Sequence, residues 1–132
     1  MKRDMDLVRE ILLDLNRREE YESLPSADSY QLREYSQAAV AYHLQIMREA
    51  GLVAFPDLHP GSVGRARRAT LTWDGHEFVD QIRDPSKWSR VKAIVEERTG
   101  SVTYHGLNVM LRRLTQMALD TAASSFNAQE RE

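Results

Sequence analysis

Cysteine and long apolar runs are missing from this chain. Its 132 residues contain no Cys, which excludes thiol catalysis, disulfide scaffolds and zinc sites with cysteine ligands. Apolar runs such as residues 52–55 are only a few residues long, whereas a membrane-spanning helix needs about 20. We therefore expect a protein of a reducing compartment, the cytoplasm, without a membrane partner.

A large excess of one charge is also missing. The chain has 18 Lys and Arg against 20 Asp and Glu, a formal net charge of −2. This balance argues against a protein that coats nucleic acid indiscriminately, but it leaves room for a local basic patch. The length favours one domain, long enough to bury a core of its own.

The spacing of apolar residues predicts five helices. They cover about residues 4–20, 37–50, 72–83, 85–99 and 103–123. The fourth helix carries Trp88, Val91, Ile94 and Val95, and the tail after Ser124 is expected to be frayed. Capping residues mark several ends, including Ser36 before the second helix and Gly51 after it.

Alternating residues predict three short strands. Tyr30–Leu32 is one, and residues 52–55 and 68–73 form an antiparallel hairpin with a long tip. In the hairpin Ala69, Leu71 and Trp73 share the face expected to lie on the helices.

This order of elements predicts a mostly helical α+β fold. A core over residues 1–84 is followed by a C-terminal helical extension over residues 85–132. We expect the extension to pack on the core or to form a homodimer contact, with the chain forming a single domain overall.

Several motifs resemble known bacterial proteins. Residues 36–53, SQAAVAYHLQIMREAGLV, are similar to the recognition helix and first wing strand of arsenic- and antibiotic-resistance-type repressors, and residues 71–75 resemble the segment after their wing. The opening MKRDMDLVREIL, with the sequence around residues 42–44 and LTWDGHEF at 71–78, resembles the YjcQ-like family of uncharacterised bacterial and phage proteins. The resemblance implies a winged helix with a β-hairpin wing, and a phage or mobile-element setting.

The chain departs from the repressor pattern before its second helix. Residues 22–35 have the composition of loop and strand, so the helix that normally precedes a recognition helix is missing or very short. In helix-turn-helix units that preceding helix crosses the DNA backbone. Its loss weakens the repressor analogy.

Two surfaces are candidates for DNA binding. The second helix would present amide, phenol and guanidinium groups to base edges or phosphates, on the face of Gln37, Ala41, Tyr42, Gln45 and Arg48. The wing carries a basic cluster suited to phosphates or the minor groove, formed by His59, Arg65, Arg67 and Arg68. The alternatives are a solvated helix face and positive charge that only blocks strand addition.

Neither catalysis nor a metal or other cofactor is expected. The four histidines share no i, i+4 spacing and have no cysteine partner, and His43 lies at the rim of a buried stripe, where a structural role is expected. The glycines of residues 61–64 lack the Lys-Ser/Thr of a phosphate-binding loop.

Two functional hypotheses follow. The first is a winged-helix DNA-binding protein that regulates transcription of a phage or mobile element. The second is a phage or prophage interaction module that uses the same scaffold to bind a host protein without binding DNA.

Overall fold

A computed structural model of the protein describes residues 1–56 and 68–130. In chain order its elements are α1 Met5–Arg17, a 3-10 turn Tyr21–Ser23, α2 Gln37–Glu49, β1 Val53–Ala54, β2 Thr70–Leu71, α3 Trp73–Ile82, α4 Pro85–Thr99 and α5 Tyr104–Glu130. The described part is therefore mostly helical with a small antiparallel sheet, which confirms the α+β prediction. Two compact units divide the chain at Arg83 and Asp84.

The core of the first unit is built around α1. Asp4 caps this helix, its carboxylate accepting from the backbone N–H groups of Asp6 and Leu7, so the chain enters the helix with its first donors satisfied. The apolar stripe of α1 is buried and packs against α2, α3 and β2. Its members are Met5, Leu7, Val8, Ile11, Leu12 and Leu15.

Helix α2 begins and ends where the sequence predicts. The Ser36 hydroxyl accepts from the N–H of Ala39 at 3.1 Å. At the other end Gly51 adopts a φ of +80°, a conformation that glycine takes without a steric penalty. The chain then turns directly into β1.

The sheet and α3 approach each other closely. Val53 pairs with Leu71 in the antiparallel ladder, and the Thr72 hydroxyl caps α3 by accepting from the N–H of Gly75. Gly75 faces the backbone of Leu52 so closely that an added Cβ would overlap the Leu52 carbonyl. Only a residue without a side chain fits there.

The prediction that Trp73 lies on the inner face was wrong. The strand ends at Leu71, and Trp73 becomes the first residue of α3 with 80% of its surface exposed. Alternation stops at Thr72 because that residue caps the helix. Ala69, by contrast, is fully buried as predicted.

The strand predicted at Tyr30–Leu32 is also wrong. Tyr30 is buried and its hydroxyl donates to the Asp14 carboxylate, while the N–H of Tyr35 closes a turn on the Leu32 carbonyl at 2.9 Å. The strand-like pairing of this loop lies earlier, where Ser26 forms an isolated bridge with Arg68. The Tyr30–Asp14 hydrogen bond and the turn at Leu32–Tyr35 therefore stand where a β-strand was expected.

The second unit is a pair of helices. Asp84 caps α4, Pro85 occupies its first turn, and Gly100 ends it with a φ of +89°. Helix α4 packs on α5, and the buried residues of the pair are Trp88, Val91, Val95, Leu107 and Leu111.

The buried stripe of α4 runs through Val91 and Val95, and Ile94 is 39% exposed. One prediction for this unit was wrong, because the segment after Ser124 is helical to Glu130 rather than frayed.

Candidate functional site

Helix α2 has one buried and one exposed face. Val40, Leu44 and Met47 are buried together with His43. Outside this buried face Gln37, Tyr42, Gln45 and Arg48 are exposed, and Ala41 is half-buried. The structure thus places these five sequence-predicted residues on one helix and leaves four of them accessible.

Three of these side chains have neighbours that orient them. The Gln37 amide donates to the Asp28 carbonyl at 3.3 Å. The ring of Tyr42 meets the ring of His43 edge-on, with centroids 5.8 Å apart. The guanidinium of Arg48 lies 5.7 Å from the centre of the Phe55 ring, a cation–π distance.

His43 connects the buried face of α2 to the start of α1. Its Nε2 accepts from the backbone N–H of Asp4 at 2.8 Å, so Nδ1 carries the proton that bonds to the Ala39 carbonyl at 2.8 Å. The imidazole is 2% exposed and both nitrogens are satisfied. His43 therefore joins α2 to the N-cap of α1 and has a structural role.

Arg68 is anchored within the first unit. Its Nη1 donates to the carbonyls of Glu22 and Leu24 at 2.6 and 2.8 Å, and its guanidinium lies 5.4 Å from the centre of the Tyr21 ring. Arg68 therefore holds the 3-10 turn beside β2.

The other members of the predicted basic wing, His59, Arg65 and Arg67, lie outside the described residues, as does the hairpin tip. Their contribution to the candidate interface stays a prediction.

A second feature, not predicted from the sequence, is a groove of about 520 Å³ in the first unit. We call it the arginine groove. Helix α1 and the segment 31–33 line it with Arg9, Glu10, Leu13, Asp14, Arg17, Arg18, Gln31, Leu32 and Arg33. The i, i+4 spacing of its α1 residues was a visible signal, but nothing in the sequence placed Arg33 beside them.

Asp14 organises the wall of this groove. Its carboxylate accepts from the Tyr30 hydroxyl, from Arg17 and from Arg18. Burial alone would raise the pKa of Asp14, but these hydrogen bonds outweigh it and hold the pKa below its ordinary value of 3.8. Burial and the hydrogen bond to Asp14 raise the pKa of Tyr30, so the pair is a phenol donating to a carboxylate at neutral pH.

The described ranges, 1–56 and 68–130, contain no group of three or more His, Asp or Glu residues that could hold a metal ion. No helix in these ranges has the length and apolar character needed to cross a membrane.

These features define a mostly helical α+β protein with two candidate surfaces. Residues 2–101 match the model of a family described as "Hypothetical protein (DUF2513)". The chain belongs to this family, whose function is unknown.

A similar protein is known from Haemophilus influenzae, described as an uncharacterized protein. It is 30% identical over 99 residues, which are 75% of this chain and 82% of the relative. No solved structure matches. The comparisons confirm an uncharacterised family, while the finer YjcQ-like resemblance stays a prediction.

Proposed function

We propose that this protein is a winged-helix DNA-binding protein that regulates transcription of a phage or mobile element. The observation that carries the proposal is that α2 has a buried inner face and an exposed face of polar side chains. Its inner face is fixed by four buried residues, and its outer face offers Gln37, Tyr42, Gln45 and Arg48. A rigid helix with exposed amide and guanidinium groups suits the major groove.

The neighbouring strands support the same function. Helix α2 leads through Gly51 directly into β1, and residues 55–69 connect the antiparallel strands β1 and β2. That connection contains His59, Arg65 and Arg67 and only one acidic residue, Asp57. A basic connection after a recognition helix is suited to DNA phosphates.

The first experiment measures binding to random duplex DNA by fluorescence anisotropy at several salt concentrations. The variant Arg65→Ala/Arg67→Ala removes the wing charge and keeps Arg68, which holds the 3-10 turn. The matched control is Arg112→Ala/Arg113→Ala, which removes two exposed arginines from α5.

We expect binding that weakens as salt rises, because each neutralised phosphate releases a counterion. Loss of two phosphate contacts should lower the slope of log K against log salt by about 2. The α5 control should keep the parent slope. Absence of binding at low salt, or equal losses in both double variants, would contradict the proposal.

A second variant tests α2 separately. Gln45→Glu keeps the size of an exposed side chain and places a negative charge where the DNA would lie. We expect a loss of affinity of about tenfold, typical of one unfavourable contact in the groove. Glu77→Gln, on the exposed face of α3, should leave affinity unchanged.

The alternative is a host-directed protein-interaction module of a phage or prophage. Two observations favour it: the described residues 18–36 contain no α-helix, and Trp73 is 80% exposed. Exposed tryptophans are frequent binding hot spots. Under this alternative Trp73→Ala abolishes capture of one defined host protein, Gln45→Glu does not, and the parent protein shows no DNA binding.

A further inference from the structure

We propose that the arginine groove binds a small phosphorylated molecule of about mononucleotide size. The groove lies entirely in the first unit, between α1 and the segment 31–33. The inference does not depend on the proposed DNA binding, because it uses none of the α2 or wing residues.

The charge of the groove favours an anion. Four guanidinium groups line it, from Arg9, Arg17, Arg18 and Arg33, against two carboxylates, Glu10 and Asp14. Both oxygens of Asp14 already accept hydrogen bonds, Oδ1 from Arg17 and Oδ2 from Arg18. The lining therefore keeps a positive balance around a cavity whose strongest acceptor is already engaged.

The arginines fall into two groups. Arg9 donates to the Ile82 and Arg83 carbonyls, and Arg18 is held by Asp14 and by the Ser23 carbonyl, so these two build the wall. Arg17 is 70% exposed and bonds through one guanidinium nitrogen to Asp14, which leaves most of its five N–H donors available. Arg33 makes no hydrogen bond or ion pair with the described part of the chain.

The backbone of Arg33 is a second, independent observation. Its φ is +31°, and it is the one non-glycine residue of the described ranges with a positive φ. A long side chain is uncommon in that region, where Gly, Asn and Asp are preferred. Strained residues concentrate at binding and switch sites, and here the strain accompanies a charged residue on the rim of the groove.

The volume and the lining residues of the groove indicate which class of ligand it can bind. A volume of about 520 Å³ lies within the roughly 300–1,000 Å³ of small-molecule pockets. Guanidinium forks match the oxygens of a phosphate group. Leu13 and Leu32 supply apolar surface and Gln31 an amide, as a ring with polar edges requires.

The test is isothermal titration calorimetry of the full chain with AMP, with adenosine as the probe that lacks a phosphate. We expect AMP to bind with a Kd below about 1 mM and adenosine to bind at least tenfold more weakly. Equal binding of the two probes, or no heat from AMP, would overturn the proposal.

Two variants assign the binding to the groove. Arg33→Asn removes the guanidinium and accepts the left-handed backbone, so it should weaken AMP binding at least tenfold while thermal stability is unchanged or higher. Arg17→Ala should weaken it by a smaller factor. Arg112→Ala/Arg113→Ala is the control for lost positive charge, and a loss in this control equal to that of Arg33→Asn would place the AMP elsewhere and overturn the proposal.

Discussion

Helices α1 and α5 follow the same sequence rule and end in different environments. Both carry an apolar stripe at helical spacing, but α1 buries six of its 13 residues and α5 buries two of its 27. Every residue of α5 from Thr115 to Glu130 is exposed, including Met117, Leu119 and Phe126. Periodicity therefore predicts that a helix forms, whereas burial depends on whether another element covers it.

The ends of the helices show no such contrast. Asp4 and Asp84 cap helices in the two units through the same carboxylate bonds, and Gly51 and Gly100 end helices with similar positive φ values. Capping involves neighbours in the chain only, so it is alike in both units. The family match also covers both, since residues 2–101 include α4 but stop before α5.

The largest expected effect breaks the packing of the first unit. Gly75→Ala would push a Cβ into the Leu52 carbonyl, which is backbone and cannot move aside. Gly106→Ala, its counterpart in the second unit, meets side-chain atoms instead of backbone, Val95 Cγ1 at 2.7 Å and Thr103 Oγ1 at 2.9 Å. We expect Gly75→Ala to cost about 3 kcal/mol and Gly106→Ala about 1 kcal/mol.

Urea unfolding followed by far-UV circular dichroism measures both costs. Trp88 fluorescence in a Trp73→Phe background reports the second unit separately, since Trp88 is buried and Trp73 is exposed. Equal costs for the two glycine variants would contradict the expectation that overlap with a backbone carbonyl costs more than overlap with side-chain atoms.

The next largest effect is expected for a substitution that removes a charge from the first unit. Asp14 is 9% exposed at its side chain and holds Arg17 and Arg18, so Asp14→Asn should cost about 2 kcal/mol at neutral pH. Asp80→Asn is the control, because its pair with Arg83 at 3.3 Å is exposed on both sides and is expected to contribute less than about 1 kcal/mol.

This contribution also depends on pH. Because the pKa of Asp14 is below 3.8 in the folded protein, the stabilisation is complete above the ordinary pKa and is lost as pH falls through the folded value. The stability difference between parent and Asp14→Asn should therefore be constant from about pH 5 to 7 and shrink in stronger acid. A difference that grows in acid would contradict this assignment.

A smaller effect is expected at His43. His43→Leu fills the buried position with an apolar side chain but leaves the Asp4 N–H without its acceptor at 2.8 Å, which should cost about 1–2 kcal/mol. His76→Leu, on an exposed part of α3, is the control and should change stability by less than about 0.5 kcal/mol. Equal effects of the two substitutions would show that His43 is not a structural link.

The smallest effect is expected at the end of α5. Truncation after Ala118 removes residues 119–130, all of them exposed, together with residues 131 and 132, so the unfolding free energy should change by less than about 0.5 kcal/mol. Sedimentation velocity of both chains tests the predicted homodimer contact. A dimer that dissociates on truncation would show that the exposed apolar residues of α5 are covered by a second copy. A monomer in both cases would mean that they stay exposed, in contrast to the buried stripe of α1.

Much of the fold could be predicted because it depends on local chemistry. Ser36, Gly51, Thr72, Asp84 and Gly100 mark helix ends through bonds to residues a few positions away. The stripes of α1, α2 and α3 are equally readable, since their apolar residues repeat every three or four positions.

The candidate sites were predictable only in part. The exposed face of α2 follows from its helical period, whereas the anchoring of Arg68 on the Glu22 and Leu24 carbonyls required chain segments that are distant in sequence to meet. The arginine groove depends on the segment 31–33 lying beside α1, which no period or motif indicates.

The sequence by itself determined where α2, α3 and α4 begin and end, which residues cap them, and that no cysteine chemistry is available. Only the tertiary structure decided that Trp73 is exposed, that Tyr30 binds Asp14 instead of forming a strand, and that four arginines share one groove. The physical reason is the distance along the sequence over which each kind of interaction acts. Capping and periodicity are set within one or two helical turns, while burial, ion pairing and cavities depend on which distant segments come into contact.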